Sequence, residues 1–195
     1  FANPAATARV FLIIAFSASI GGATAPVLGG TDLVASATPL EIIKLGSDAE
    51  LPSLLNMFLG NHAGAIGETS ALALILGGVY LIVRRVIKWQ VPVIYIATVF
   101  LLSLIIKQDL TIALYQVLGG SLILAAFFMI TDYSTTPINT LGKMVFAFGC
   151  GIITVLIRFW GSYPEGVSFA ILLMNILSPY IEKMCTRKPF GKVGK

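Results

Sequence analysis

The sequence from residue 71 to residue 106 is ALALILGGVYLIVRRVIKWQVPVIYIATVFLLSLII. It consists of two apolar runs separated by a short basic segment, Arg84–Lys88. An α-helix needs about 20 apolar residues to cross the hydrocarbon core of a bilayer, and fewer suffice where flanking side chains snorkel. The pattern therefore predicts two membrane-spanning helices joined by a basic loop, and the fold class we expect is an all-α polytopic membrane protein.

The composition of the whole chain supports the same class. Of its 195 residues, 57% are hydrophobic and 11% are charged, and the mean hydropathy is +0.92. Soluble domains carry about 25% charged residues, so this chain has too few charges to cover a water-exposed surface. The net charge of +4 matters less than where the charges lie in a membrane protein. We therefore expect lipid, and not nucleic acid, around the chain.

Apolar runs that could span a bilayer occur at about six places. They cover residues 5–25, 67–87, 91–106, 111–130, 141–160 and 167–184. We interpret residues 1–195 as a single transmembrane domain. Because the chain begins at Phe1 without a methionine, we expect it to be part of a longer protein with further spans before it.

The basic residues predict the orientation of these spans. Lysine and arginine are enriched in cytoplasmic loops, and the loop Arg84–Lys88 and the C-terminal tail are both basic. If both are cytoplasmic, alternation of the spans also places Arg9 and Lys143 inside. The connection 22–66 then lies on the outer face.

The connection 22–66 is too long to be a simple turn. Loops longer than about 12–15 residues are uncommon unless they are functional or disordered. Its apolar stretches Leu40–Leu45 and Leu51–Leu59 predict short helices lying at the membrane interface.

Three polar segments lie at the ends of the predicted spans. The first contains Thr38 followed by Pro39, and proline is favoured at the first position of a helix. From the residues alone, Thr38 is interpreted most simply as a helix N-cap. The lone His62 and the distant pair Cys150 and Cys185 predict no metal site.

The second and third segments each leave two interpretations open. Gly67-Glu68-Thr69-Ser70 precedes an apolar run, and such a helix start either binds an anion such as phosphate or is simply capped. Asp132 and Thr136 lie in a hydroxyl-rich segment that ends at Pro137. This segment predicts either a broken helix lining a cation path or cofactor site, or an ordinary polar turn.

Residues Asp32–Thr38 resemble the flavinylation motif of the RnfD and NqrB subunits, D-x-x-[ST]-G-A-T. Asp32, Ala37 and Thr38 match it, and the chain departs at Ala35-Ser36, where the family more often has Ser-Gly. The exchange keeps small residues and a hydroxyl. The resemblance implies that Thr38 carries FMN through a phosphoester bond, with Asp32, Ser36 and Ala37 around the attachment site.

Other parts of the chain are similar to RnfD in the same order. They are FANPA at 1–5, GETS at 67–70, FMITD at 128–132 with Thr136-Pro137, and YPEGVSFA at 163–170. Since these matches extend over nearly the whole chain, it is identified as a member of the RnfD/NqrB family, closer to RnfD.

The resemblance implies a subunit of the Rnf complex of the bacterial cytoplasmic (inner) membrane, which couples electron transfer between ferredoxin and NAD to Na⁺ or H⁺ translocation. The resemblance implies a urea-transporter-like fold of inverted helical repeats, of which this chain covers roughly the second repeat and a neighbouring span. It also implies a flavin transferase that uses FAD and Mg²⁺ for maturation.

The implied partners are the membrane iron–sulfur subunits, the flavinylated RnfG-type subunit, and the NADH- and ferredoxin-side subunits. The helix start Gly64–Ser70, which includes Gly67, Glu68, Thr69 and Ser70, is expected to supply donors to the FMN phosphate or to contact a second, non-covalent flavin (riboflavin). Asp132 and Thr136 are further candidates for cofactor contact. No complete enzyme activity is expected of the chain alone.

Two other functions remain open from the residues. One is a redox-inactive transporter or channel subunit that uses Glu68, Asp132 and broken helices as a path. The other is a scaffold subunit in which the polar segments only cap helices.

Overall fold

A computed structural model of the chain describes residues 2–16, 23–24, 35–46, 51–65 and 67–186. Nearly all regular structure in these residues is helical. In chain order the helices are α1 (Pro4–Ala15), α2 (Pro39–Leu45), α3 (Leu54–Leu59), α4 (Ala71–Val83), α5 (Gln90–Lys107), α6 (Leu110–Leu118), α7 (Leu122–Met129), α8 (Thr140–Trp160) and α9 (Val167–Cys185). Two short antiparallel strands, β1 (Ala23–Thr24) and β2 (Ala35–Ser36), complete the described elements.

Three helices in the described part of the chain are long and apolar enough to cross a membrane, namely α5, α8 and α9. Helices α6 and α7 together would form a fourth span, bent by 62° where they meet. Helices α1 and α4 are apolar but shorter. The predicted all-helical class is therefore confirmed, and three or four long apolar helices agree with the predicted membrane protein, whereas the number of spans stays a prediction. The predicted first span extends beyond α1 into residues 17–22, which lie outside the described residues.

Helix α8 is the centre of the packing, with α5 on one side and α9 on the other. Glycines let these helices approach closely, since a Cβ atom at Gly151 would lie 2.8 Å from Thr98 on α5, and one at Gly149 would lie 2.5 Å from the Cε atom of Met174 on α9. The buried Tyr95 hydroxyl also lies 3.0 Å from the Thr154 hydroxyl, linking α5 to α8.

The glycine pair of α4 gives a test of this close packing. A Cβ atom at Gly78 would lie 2.3 Å from Cδ1 of the Phe127 ring, whereas one at Gly77 would lie 3.3 Å from the end of the Phe128 ring. Gly78→Ala is therefore expected to lower the free energy of unfolding by about 1–3 kcal/mol through overpacking. Gly77→Ala is expected to be neutral or slightly stabilising, because alanine is the better helix former. Unfolding of both variants in detergent measures the difference, and equal effects would contradict the packing at Gly78.

Helices α6 and α7 are separated by Gly119, Gly120 and Ser121, although the sequence predicted one continuous run over 111–130. Gly120 has φ +66°, a backbone conformation that favours glycine. The second half of α7, Ala125–Met129, is a π-helix, an irregular form that is frequent at functional sites. The glycine pair thus breaks the helix as well as allowing close contacts.

The beginning of α1 meets the end of α7 inside the protein. The Asn3 side chain accepts hydrogen bonds from the first N–H groups of α1 and donates to the Met129 carbonyl at 3.3 Å. Asn175 is buried beside it, and with its amide oriented to suit both neighbours it accepts from Asn3 N at 2.9 Å and donates to the Thr135 carbonyl at 3.3 Å. Two helix ends therefore meet at a hydrogen-bonded polar junction.

Candidate functional site

Thr38 is the N-cap of α2, as the sequence suggested. Its backbone is extended, with φ −69° and ψ 152°, and its Oγ1 atom accepts a hydrogen bond from Glu41 N at 3.3 Å. The side chain is half-buried. No hydrogen bond donated by the Thr38 hydroxyl to another described residue is present. The Thr38 Oγ1 atom can therefore still accept the hydrogen bond from Glu41 N when the hydroxyl proton is replaced by another group.

The residues before Thr38 form the short strand β2. Ala23 of β1 lies opposite Ser36, and Ala37, next to Thr38, is exposed. The predicted site residue Asp32 lies outside the described residues. Of the motif, the structure thus places the backbone of Ser36 and the whole of Ala37 and Thr38.

Helix α2 is seated on the break between α6 and α7 through Leu40, which is 3% exposed. A Cβ atom at Gly119 would lie 3.0 Å from Cγ of Leu40, and one at Gly120 would lie 2.9 Å from its Cδ1. Larger residues at these two positions would displace Leu40. The glycines therefore create the seat for the helix that begins at Thr38.

Lys44, near the other end of α2, binds the loop after α8. Its Nζ atom donates to the carbonyls of Gly161 at 2.6 Å and Tyr163 at 2.7 Å. Gly161 is the C-cap residue of α8, and the negative end of a helix dipole favours a cation there. Lys44 thereby links α2 to the end of α8.

Arg158, in the last turn of α8, is 4% exposed and has acceptors all around its guanidinium. It donates to the Gly119 carbonyl at 3.2 Å, the Glu165 carbonyl at 3.0 Å, the Gln116 Oε1 at 3.2 Å and the Gln116 carbonyl. A buried cation is tolerated only when its hydrogen-bonding groups are satisfied. Arg158 therefore holds together the end of α6, the break and the loop 161–166.

An ionic cluster lies beside this loop. One Arg9 nitrogen is 3.0 Å from the Glu68 carboxylate and 2.6 Å from the Glu165 carboxylate, and the Ser121 hydroxyl donates to Glu165 at 3.4 Å. The orientation argument predicted Arg9 on the opposite side of the membrane from Glu68, and that prediction was wrong. The contact between Arg9 and Glu68 places the two side chains at the same level.

Glu68 lies in the turn before α4 and is 6% exposed. Burial and the nearby Glu165 carboxylate raise the pKa of Glu68 to about 7, against the opposing effect of the Arg9 guanidinium. A raised pKa in the folded state contributes stability that is complete below the ordinary carboxyl pKa and is lost as the pH rises through the folded value. The contribution of Glu68 to the free energy of unfolding should therefore decrease as the pH rises from about 4.5 to about 7.

Glu68→Gln, which resembles the protonated side chain, is expected to remove this pH dependence. Arg9 keeps its contact with Glu165 in the variant, so we expect the variant to fold. Unfolding temperatures measured from pH 5 to pH 8 should fall less steeply for the variant than for the unchanged chain, and parallel curves would contradict the raised pKa of Glu68.

The rest of the Gly67–Ser70 segment forms a capped helix start. Gly67 has φ +87°, and the Ser70 Oγ accepts from Ala73 N at 3.3 Å as the N-cap of α4. Thr69 is half-buried. Glu68 is connected through Arg9 to Glu165, and α2 is connected through Lys44 to Tyr163, so both predicted segments gather around the loop 161–166. Binding of a phosphate or flavin at Gly67–Ser70 stays a prediction.

The third predicted segment lies elsewhere. The Asp132 carboxylate accepts hydrogen bonds from Ser134 and from the Thr135 hydroxyl, and the Thr136 hydroxyl donates to the Asp132 carbonyl. This turn follows Met129, which is at the end of α7 farther from the break. Next to it is a cavity of about 290 Å³ between residues 133–138 and α9. The structure does not bring Asp132 and Thr136 to the Thr38 region, and their role as cofactor contacts stays a prediction.

Sequence reasoning missed most of the side chains that hold the site together. They are Arg9, Lys44, Gln116, Ser121, Arg158 and Glu165. One signal was available, because an ionisable residue such as Arg158 inside an apolar run is a functional candidate by default. The others follow only from contacts between distant parts of the chain.

The sequence pattern of the NQR2, RnfD, RnfE family matches residues 1–191. The chain is 42% identical to the D subunit of the Na(+)-translocating ferredoxin:NAD(+) oxidoreductase complex of Acetobacterium woodii, covering 98% of this chain and 59% of that protein. It is 39% identical to the D subunit of the proton-translocating ferredoxin:NAD(+) oxidoreductase complex of Clostridium ljungdahlii, covering 97% of this chain and 61% of that protein.

A third relative is the D subunit of the ion-translocating oxidoreductase complex of Stutzerimonas stutzeri, 35% identical over 97% of this chain and 63% of that protein. The chain thus spans between 59% and 63% of the length of these relatives. The resemblance inferred from the motifs is confirmed: the chain belongs to the NQR2, RnfD, RnfE family.

Proposed function

We propose that the chain is the membrane electron-transfer subunit of an Rnf-type complex, and that it carries FMN covalently on Thr38. The complex would couple electron transfer between ferredoxin and NAD to translocation of Na⁺ or H⁺. The names of three relatives support membership of an ion-translocating oxidoreductase complex. The donor and acceptor sites would lie on the other subunits, so the chain alone would not be a complete enzyme.

The flavin assignment rests on the burial and hydrogen bonding of the Thr38 hydroxyl. Its hydroxyl is half-buried at the start of a helix that is fixed to the membrane domain at both ends, by Leu40 and by Lys44. The oxygen accepts one long hydrogen bond of 3.3 Å, which leaves it able to bear a phosphoester. These residues fit a covalently attached FMN.

When bound, the isoalloxazine would supply the reversible redox chemistry, while the protein supplies placement and electrostatics. Thr38 would hold the cofactor against dissociation. Helix α2 would fix the attachment point against the break between α6 and α7. The loop 161–166, with Arg9, Arg158 and Glu165, would form the charged environment beside it.

The proposed location is the bacterial cytoplasmic membrane, with the C-terminus inside and residues 22–66 on the outer face. Lys88 donates to the Thr140 hydroxyl, which brings the basic loop to the start of α8, the helix that carries Lys143. Near the other end of α8, Lys44 and Arg158 are engaged with carbonyl groups. Arg84, Arg85, Lys88 and Lys143 lie at the end of the helices near the start of α8, in agreement with the positive-inside rule, and a transferase acting on the outer face would then reach Thr38.

The urea-transporter-like arrangement of inverted repeats belongs to the same proposal. Its support is the junction of α1 with the end of α7 and the bend between α6 and α7. Discontinuous helices that meet inside the membrane domain are typical of transporters with such repeats.

The direct test is flavin fluorescence of the denatured chain. The protein is expressed together with a flavin transferase, separated on a denaturing gel and illuminated, and a fluorescent band is expected. Thr111→Val, which removes an exposed hydroxyl near the start of α6, serves as the matched control and should stay fluorescent. A dark band from the unchanged chain contradicts the assignment.

A transporter or channel subunit is the second candidate, favoured by the bent helix pair and the cavity of about 290 Å³ beside residues 133–138. This function predicts solute or ion flux into vesicles that contain the chain alone, and no bound chromophore. Flux without fluorescence would favour this second candidate.

A further inference from the structure

Helix α2 has seven residues, and isolated helices shorter than about 12–15 residues are marginal in water. Its position therefore depends on contacts with the rest of the protein. Pro39, Leu40 and Ile42 are buried, and apolar contacts of this kind are not directional. Side-chain hydrogen bonds are therefore needed to fix the position of α2 along the surface that it packs on and its rotation about its own axis.

Lys44 supplies such bonds in α2. Its Nζ atom donates to two carbonyls of the loop after α8, those of Gly161 at 2.6 Å and Tyr163 at 2.7 Å. Residues four positions apart lie on the same face of a helix, so Leu40 and Lys44 face the protein together. Leu40 packs against Gly119 and Gly120 at the break. The Lys44 ammonium is held by hydrogen bonds at the end of α8.

The two docking points of α2 are themselves joined. Arg158 donates to the Gly119 carbonyl at 3.2 Å, in the break that receives Leu40, and to the Glu165 carbonyl at 3.0 Å, in the loop that receives Lys44. A buried guanidinium with several satisfied acceptors forms a rigid connection. Helix α2 is therefore attached at two points whose separation Arg158 keeps constant.

We infer that Lys44 is a positioning residue for the group attached at Thr38, through its hydrogen bonds to the Gly161 and Tyr163 carbonyls. This inference rests on the proposed attachment of FMN to Thr38. Electron transfer depends on the separation and orientation of the redox groups. The rate of electron transfer falls exponentially as the distance between the redox groups increases, so a displaced attachment point lowers this rate.

The test uses the whole complex with its flavin, and compares Lys44→Met with Lys44→Arg. Methionine keeps an apolar side chain of similar length but donates no hydrogen bond, whereas arginine keeps the charge and the donors. Lys107→Met, at another lysine near an end of a long helix, is the matched control. Covalent flavin is quantified by fluorescence of the denatured chain, and flavin reduction is followed by stopped-flow absorbance.

Lys44→Met should lower the rate of flavin reduction per covalent flavin severalfold. Lys44→Arg should restore most of the rate, and Lys107→Met should leave it unchanged. Hydrogen exchange of the amides of residues 39–45 should become about tenfold faster in Lys44→Met, as expected for the loss of a charge-assisted hydrogen bond.

The outcomes separate this inference from the proposed function. A dark band from the unchanged chain refutes the flavin assignment. A fluorescent Lys44→Met variant that keeps its rate within about twofold, or keeps its exchange unchanged, refutes the positioning role. If Lys44→Met carries no covalent flavin, exchange decides: faster exchange of residues 39–45 supports the role, and unchanged exchange refutes it.

Discussion

Replacing Thr38 with valine is expected to abolish covalent flavin on the chain and to reduce electron transfer through the assembled complex to background. Valine has nearly the same shape as threonine but has no hydroxyl, so no phosphoester can form. The variant also loses the N-cap of α2, because Thr38 Oγ1 accepts from Glu41 N. Loss of an N-cap costs about 1 kcal/mol, which is far too little to explain complete loss of activity.

Thr38→Asn separates the two roles of this residue. Asparagine is among the best N-cap residues, so α2 should keep its stability, but the amide cannot carry the ester. Fluorescence on a denaturing gel should therefore be absent in Thr38→Asn and present in Thr38→Ser, with similar unfolding temperatures. Fluorescence that persists in Thr38→Asn would place the flavin on another residue. If the Thr38→Asn complex shows no flavin fluorescence but retains full electron-transfer activity, the scaffold function is supported instead.

The features that sequence patterns predicted well are local. Apolar runs predicted α5, α8 and α9, and the apolar stretches of the long connection predicted α2 and α3. Thr38 and Ser70 act as the N-caps that their positions before helices suggested. In each case the residues that determine the structure are contiguous or nearly contiguous in the sequence.

The site itself could not be predicted from such patterns. Arg9 and Glu165 are far apart in the sequence, and their contact at 2.6 Å depends on how α1 lies against the loop after α8. Alternation of the predicted spans placed Arg9 and Glu68 on opposite sides of the membrane, whereas their side chains are 3.0 Å apart. The bend at Gly120 was missed for a related reason, since an apolar run does not show where its backbone breaks.

Arg158→Met is expected to have the largest effect on stability. Methionine fills part of the space of arginine but leaves the carbonyls of Gly119 and Glu165 without this donor. Each buried acceptor that is left without a hydrogen-bond donor costs about 1–3 kcal/mol. The unfolding temperature should therefore fall by roughly 10 °C for a chain of this size.

Arg158→Lys should recover only a small part of this loss. A lysine ammonium is a single point of charge, whereas the planar guanidinium donates to the Gln116 side chain, the break and the loop after α8 at the same time. Arg84→Met, at an exposed arginine, is the matched control and should change the unfolding temperature by no more than about 2 °C. An Arg158→Met variant as stable as the control would mean that apolar packing alone holds α6, α8 and the loop 161–166 together. The seat of α2 would then not depend on this arginine.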